Sequence, residues 1–359
     1  MPRHPSRRLI LAAGAALAAA PAVAAQPYWP GAGDWARIGP EAAGFDPGRL
    51  DAALDAALAD ASAGLLVLRG GRIAAERYGE GYGPDQSLEV ASVGKSLVAV
   101  LVAMAIDDGH MTGLDQSAAD FVPEWRGTPR AAITVRHLLA MTSGLDDKGL
   151  ALRNVAGDQY ALNAAAPPRD PPGTRWAYNT AVYHLLFHVV ARAVGEPFEA
   201  YAQRKLVGPL GMTRTTWLTN AGQGAKGPVT NYYTAVSSTR DLGRFGLFAQ
   251  RGGRWDGRAL VSAGRFRELV TPSQDLNPSY GLLWWLNSRP GVAATGGGTP
   301  ALRFPGAPAD TLAALGYGGQ AVLAVPSLDL VVVRQGRAPK GPAQADRLLA
   351  AVLAARKAV

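Results

Sequence analysis

The strand-forming runs of this 359-residue chain lie at its two ends, with a mainly helical stretch between them. That order restricts the fold more than any other feature. Near the N-terminus, Gly64-Leu65-Leu66-Val67-Leu68-Arg69 and Arg72-Ile73-Ala74-Ala75-Glu76-Arg77-Tyr78 flank Gly70-Gly71, the pattern of a β-hairpin. Near the C-terminus, Tyr280 to Leu286, Asp310 to Leu315, Gln320 to Val325 and Leu330 to Arg334 are short β-like runs, most of them separated by turn residues. Between the two groups the sequence predicts a buried helix from Val93 to Asp108. A second starts near Ile133 and stops at Thr142-Ser143-Gly144, and a third runs from Ala181 to Val194 and closes at Gly195. Leu50, Leu54 and Leu58 mark an amphipathic helix before the hairpin, and Gln344 to Ala355 mark one at the end. The simplest architecture is one antiparallel sheet built from both ends of the chain. Terminal helices flank it and a helical domain is inserted into it. Residues 26–110 and 275–359 then form the α/β part and 111–274 the insert. Residues 146–175, rich in Pro, Gly, Asp and Arg, read as a long surface excursion.

Composition removes several function classes. Hydrophobic residues make up 48% and charged residues 18%, which suits a packed core and not a disordered chain. There is no Cys, so disulfide scaffolds, Cys-based zinc sites, iron–sulfur clusters and thiol catalysis are excluded. The net charge of +8 is spread thinly, with no run of five basic residues. It describes an ordinary basic protein without a nucleic-acid partner. Arg3, Arg7 and Arg8 precede an apolar stretch from Leu9 to Ala20, and Pro21-Ala22-Val23-Ala24-Ala25 follows. This is the pattern of a secretory signal over residues 1–25, cleaved near Ala24 or Ala25. The Arg7-Arg8 pair resembles a twin-arginine signal, although a general export signal can also carry two Arg. The expected location is the periplasm. The longest later apolar run, Leu97 to Ile106, is half the length of a membrane span, so none is expected in the mature chain.

Three segments can carry chemistry. The first is Ser92-Val93-Gly94-Lys95, opening the buried helix. Ser92 can simply cap it. Yet a Lys in the first turn opposes the helix dipole, and the residues that follow are apolar. Desolvation beside the positive helix end lowers a Lys pKa, so Lys95 can accept a proton from a hydroxyl one turn away. The second is Pro172 to Thr180, before the third helix. Tyr178 there is either a half-buried anchor or a phenol whose proton a nearby Lys holds down, acting as a general base. The third is Ala314-Leu315-Gly316-Tyr317-Gly318-Gly319-Gln320, between two strands. It is either a tight hairpin or an edge strand whose backbone N–H faces a substrate carbonyl oxygen.

In this order the three segments resemble those of serine hydrolases of the β-lactamase and penicillin-binding-protein superfamily. Ile133 to Leu145, Thr239 to Gly246 and Tyr280 to Trp285 are similar to further landmarks of that family. The resemblance covers about residues 45–350. It is nearest to the branch of esterases, class C β-lactamases and 6-aminohexanoate-dimer hydrolases. It implies an α/β (α+β) fold of the β-lactamase/transpeptidase type and an acyl-enzyme on Ser92. Lys95 would activate Ser92, and Tyr178 would be base or proton shuttle; in related enzymes the identity of the acylation base is disputed. The backbone N–H groups of Ser92 and Tyr317 would form the oxyanion hole. Thr180, Gly316 and Gly318 would meet the substrate.

Two departures refine the expectation. Relatives with β-lactamase or peptidase activity usually carry Tyr-x-Asn, whereas here Asn179 is one residue early and Thr180 takes the slot. Their oxyanion strand carries Lys-Thr-Gly or a His-containing variant, whereas here the residues are Ala314-Leu315-Gly316. Both favour an esterase or amidase over a D-alanyl peptidase or β-lactamase. A non-catalytic cell-wall ligand-binding homologue is a further alternative. Arg153 or Arg175 remains as a cation for a substrate carboxylate. His184 and His188 share a helix face but lack the Glu of a zinc-protease motif, so no metal is expected. No cofactor is implied, since Ser, Lys and Tyr suffice. The expected partner is a small-molecule ester or amide. Trp284 and Trp285 should face opposite ways, one to the core and one to the cleft. Asp146, Asp147 and Asp170 read as loop surface.

Overall fold

A computed structural model describes residues 1, 27–31, 33, 35–147, 156–219, 222–224, 227–293, 298–337 and 344–357. The expected signal segment and Arg153 lie outside the described residues. Helix α1 (Pro47–Ala59) starts at Asp46, whose carboxylate accepts the Arg49 N–H. Strands β1 (Ser62–Arg69) and β2 (Arg72–Tyr78) follow as the expected hairpin, with Gly70 and Gly71 both at positive φ. Helix α2 (Val93–Asp107) is buried from Val93 to Ile106. In the middle of the chain lie α3 (Leu185–Val194), ended by left-handed Gly195, and α4 (Thr239–Gln250). Four strands then return, β3 (Trp285–Leu286), β4 (Leu312–Gly316), β5 (Gln320–Val325) and β6 (Leu330–Gly336), before α5 (Gln344–Ala354).

The six strands form one antiparallel sheet in the order β3-β4-β5-β6-β1-β2. The early hairpin thus joins the late strands through β1 and β6, with Leu65 opposite Arg334 and Val67 opposite Val332. Helices α1 and α5 pack together, and α4 lies on β1, β5 and β6. Both faces of the centre are covered, which is why β1 is an unbroken apolar run instead of an alternating one.

Helix α4 departs from the expected division of the chain. It falls within 111–274, yet its main packing is on the sheet. Gly243 and Gly246 permit this: a Cβ on Gly246 would lie 2.5 Å from Val331 Cγ1, and one on Gly243 would press into Leu66. The Tyr280–Leu286 run also differs from expectation. Only Trp285–Leu286 is a strand, because Leu283 takes positive φ and turns the chain. The excursion at 146–175 holds a helix, Gln159–Ala164, with Gln159, Asn163 and Ala164 buried. Among the described residues no helix is long and apolar enough to cross a membrane.

Candidate active site

A small sheet of Leu88–Glu89, Thr216–Leu218 and Thr234–Ser237 leads the chain into α2, with Val90 N–H donating to the Ala235 carbonyl. Ala91 then sits at φ 48°, a left-handed conformation that a non-Gly residue rarely holds. This corner delivers Ser92 at the start of α2. Its hydroxyl makes no capping bond; instead it accepts a 2.9 Å hydrogen bond from Lys95 Nζ. Among the described residues the Ser92 N–H meets no backbone acceptor.

Lys95 is 2% exposed. Its ammonium also donates to Thr180 Oγ1 at 3.3 Å and lies over the Tyr178 and Tyr183 rings at 4.9 and 4.5 Å. No carboxylate pairs with it among the described residues. Burial lowers its pKa to about 7.

Tyr178 reaches the same point from the insert. The turn after the helix Val135–Leu139 holds it, with Ala177 N–H donating to the Met141 carbonyl and Asn179 N–H to Met141 Sδ. The Ser92 hydroxyl beside the phenol favours its ionisation, but burial dominates and pushes its pKa up to about 12. Burial therefore works against the expectation of a proton held down by Lys95, whose amine lies over the ring. The burial comes from aromatic neighbours, two of them remote in sequence. Trp285 stacks on Tyr178 at 6.0 Å, and Tyr280 and Trp176 meet it edgewise or tilted at 6.2 and 6.5 Å. Trp284 turns the other way and stacks on Phe245 of α4 at 5.6 Å.

Asn179 is structural. Its side chain accepts the Val182 N–H at 2.8 Å and donates to the Leu145 carbonyl at 2.9 Å. Thr180, next in sequence, is the residue that meets Lys95. Asp147, read from sequence as loop surface, is half-buried instead. Burial raises its pKa, and the nearby Thr180 N–H works against that shift. Arg175 pairs with Asp170 at 3.5 Å.

Gly316 ends β4 against the corner that precedes Ser92. A Cβ there would lie 2.5 Å from the Val90 carbonyl oxygen and 3.1 Å from the Ser92 nitrogen. Tyr317 follows, 75% exposed, and Gly318 and Gly319 both take positive φ. Ser92, Lys95, Tyr178, Thr180 and Gly316 are thus gathered at one point between sheet and insert, with Tyr317 at its rim. His184 and His188 belong to neighbouring packing: His184 stacks on Tyr232 at 4.9 Å and His188 tilts onto Tyr160 at 4.5 Å. Burial pulls their pKa values down to about 3 and about 4, leaving both neutral.

Sequence reasoning missed Ala91, Met141, Asp147 and Tyr280. Only Tyr280 left a signal, as an aromatic directly before Gly281-Leu282-Leu283.

The arrangement is matched among known proteins. The Beta-lactamase family model matches residues 50–356. The chain is 32% identical over 198 residues to esterase EstB of Burkholderia gladioli, covering 46% of this chain and 50% of that one. It is 28% identical over 268 residues to the 6-aminohexanoate-dimer hydrolase of Paenarthrobacter ureafaciens, covering 64% and 66%. The match to the esterase thus spans only half of that relative's length. A solved class C beta-lactamase superposes with a TM-score of 0.68 at 19% identity, over 87% of this chain and 96% of that one, and so shares its fold. With the family model running across most of its length, the chain belongs to the beta-lactamase family of serine hydrolases.

Proposed function

We propose that the protein hydrolyses a small-molecule ester or amide through an acyl-enzyme on Ser92. One observation carries the reading: a buried amine, with no carboxylate partner among the described residues, lies 2.9 Å from the Ser92 hydroxyl. With its pKa lowered to about 7, Lys95 is partly unprotonated at neutral pH and can take the Ser92 proton. Ser92 Oγ then bonds to the substrate carbonyl carbon. The negative charge that develops on the carbonyl oxygen is met by the N–H groups of Ser92 and Tyr317. When the adduct collapses, the bond to the leaving group breaks and the proton held by Lys95 passes to that group. Tyr178, a phenol kept neutral by burial beside Ser92, relays it. A water molecule, deprotonated in the same way, attacks the acyl carbon; the acid leaves and Ser92 recovers its proton. Thr180 holds the Lys95 amine in place, Gly316 lets β4 close on the Ser92 corner, and Gly318 leaves the rim of the site open to the substrate.

The absence of a cation from Ala314-Leu315-Gly316 supports ester or amide substrates over the carboxylate-bearing substrates of peptidases and β-lactamases. So does the structural use of Asn179. Relatives include a D-alanyl-D-alanine-carboxypeptidase/endopeptidase, AmpH, of Escherichia coli, so a penicillin is included in the test. Export to the periplasm belongs to the same proposal and rests on residues 1–25.

The test is hydrolysis of a short-chain p-nitrophenyl ester by the purified protein beside Ser92→Ala. Turnover that vanishes in the variant, with an unchanged circular dichroism spectrum, is expected. Equal turnover in both would remove Ser92 from the mechanism. Stable labelling by penicillin would shift the reading to a peptidase.

A further inference from the structure

Beneath the Tyr317-Gly318-Gly319 turn lies an arginine that the reaction scheme does not use. Arg334 stands on β6, in the interior of the sheet, and is 1% exposed. Its guanidinium meets backbone carbonyls: Nη1 donates to Gly319 O at 2.6 Å and Nη2 to Asp60 O at 2.7 Å. Among the described residues it forms no ion pair. A buried charge held only by carbonyls is costly to the fold. A purely structural position would be filled more cheaply by an apolar residue of similar length.

The surroundings show what it holds. The turn is pressed onto β6 closely enough that no side chain fits between them. A Cβ on Gly319 would collide with Arg334 Nη1, and one on Gly336 would collide with the Gly318 carbonyl. Gln320, the residue after the turn, donates to the Gly336 carbonyl at 3.0 Å and accepts the Gly336 N–H at 3.3 Å. Gln344 of α5 donates to the same Asp60 carbonyl at 2.8 Å. Gly318 and Gly319, both left-handed, have no side chain with which to fix their own conformation. The hairpin is closed by the Gly316–Gln320 pair, and the turn beyond it is tied down by the side chains of Arg334 and Gln320. The first residue of that turn is Tyr317.

We infer that Arg334 is a positioning residue for the oxyanion hole: its bond to the Gly319 carbonyl locks the turn that aims the Tyr317 N–H. This rests on the acyl-enzyme reading of Ser92. An N–H donor of this kind acts on the transition state and little on the bound substrate, so its misalignment lowers kcat with little change in KM.

The experiment uses the full mature chain with Arg334→Lys and Arg334→Met, a p-nitrophenyl ester, and active-site titration by the p-nitrophenol burst. Removing a single oxyanion donor costs about a hundredfold to a thousandfold in kcat. Misaligning one is expected to cost Arg334→Met roughly tenfold to a hundredfold per titrated site, with KM within about twofold. Affinity for a boronic acid that mimics the tetrahedral adduct should fall in parallel with kcat/KM. Arg334→Lys keeps the charge and can reach one of the two carbonyls, so an intermediate loss is expected. A structural role alone would lower the titrated fraction and the Tm while leaving kcat per titrated site unchanged. That outcome, in either variant, overturns the inference. If Arg334→Met does not fold, Arg334→Lys decides: full kcat per site refutes the inference. If the wild-type protein shows no Ser92-dependent turnover, the underlying reading fails instead, and the two failures are told apart.

Discussion

Lys95 brings the protein's chemistry and its stability into conflict within one side chain. In the folded state it loses its proton near pH 7, against 10.5 for an ordinary Lys. Acylation needs the neutral amine, so kcat/KM for an ester should rise with pH through an inflection near 7 and then level off. A profile flat from pH 5 to 9 would mean that Lys95 is not the base. The same shift fixes a stability trend. Between about 7 and 10.5 the unfolded chain binds the proton that the folded chain has lost, so stability rises with pH across that window. Below about 7 the folded protein carries a charged amine among aromatic rings, and the penalty is at full size. Lys95→Met removes the titration. Its Tm should exceed that of the wild type most at pH 6, with the gap narrowing towards pH 9. Melting curves across that range check it; a constant gap would show that burial does not control this amine. The serine–lysine spacing was legible in the sequence because i and i+3 share a helix face. The protonation of Tyr178 was not legible. Its direction depends on Trp176, Tyr280 and Trp285 closing around the phenol, and two of those lie about a hundred residues away.

At the scale of elements, the site is a junction of three ends: the start of α2, the end of β4 and the loop that carries Tyr178. Each end is set by contacts that side-chain pattern does not encode. Ala91 turns left-handed although nothing in its side chain asks for it. Asp147 folds back on Thr180 across the excursion. The helices, the hairpin and the late strands were readable from period and punctuation, since those reflect local burial. The packing of α4 on the sheet was not, because it depends on which distant strands meet Gly243 and Gly246. Gly316 offers the sharpest test of the junction. Its φ is ordinary, so Ala is strained there only by space. The added methyl meets the Val90 carbonyl at 2.5 Å and the Ser92 nitrogen at 3.1 Å. Backbone cannot retreat as a flexible side chain does, so Gly316→Ala must push β4 away from the Ser92 corner. Overpacking of this kind costs about 1–3 kcal/mol. Displacing the reacting groups by even 1 Å costs on the order of a hundredfold in rate. Ester turnover should therefore fall far more than the folded fraction does. Turnover within twofold of wild type would show that β4 and α2 are free to separate.

On the scale of the whole molecule, the sheet cannot be completed until the last strands are present. Strand β1 pairs with β6, and α1 packs on α5, so the fold is closed by its two ends. Such pairing is non-local and makes folding slow. It also separates the tasks of the chain. Ser92 and Lys95 stand on a helix wrapped in core, while α5 packs on α1 as a clasp. That helix buries Leu348, Leu349 and Val352, and it ties Asp60 through Gln344 and an Arg347 ion pair at 2.5 Å. The ion pair is exposed and contributes little. The apolar contacts are the clasp's main source of stability, so the test is Leu349→Ala. Truncating a buried Leu costs roughly 2–5 kcal/mol, a large part of the 5–15 kcal/mol typical of a folded domain. Leu349 lies on α5, which packs mainly on α1. The variant should melt several degrees lower, yet its kcat per titrated site should equal that of the wild type. A fall in per-site kcat that matches the loss of stability would mean that clasp and site are one coupled unit; an unchanged Tm would mean that α5 does not hold the ends together.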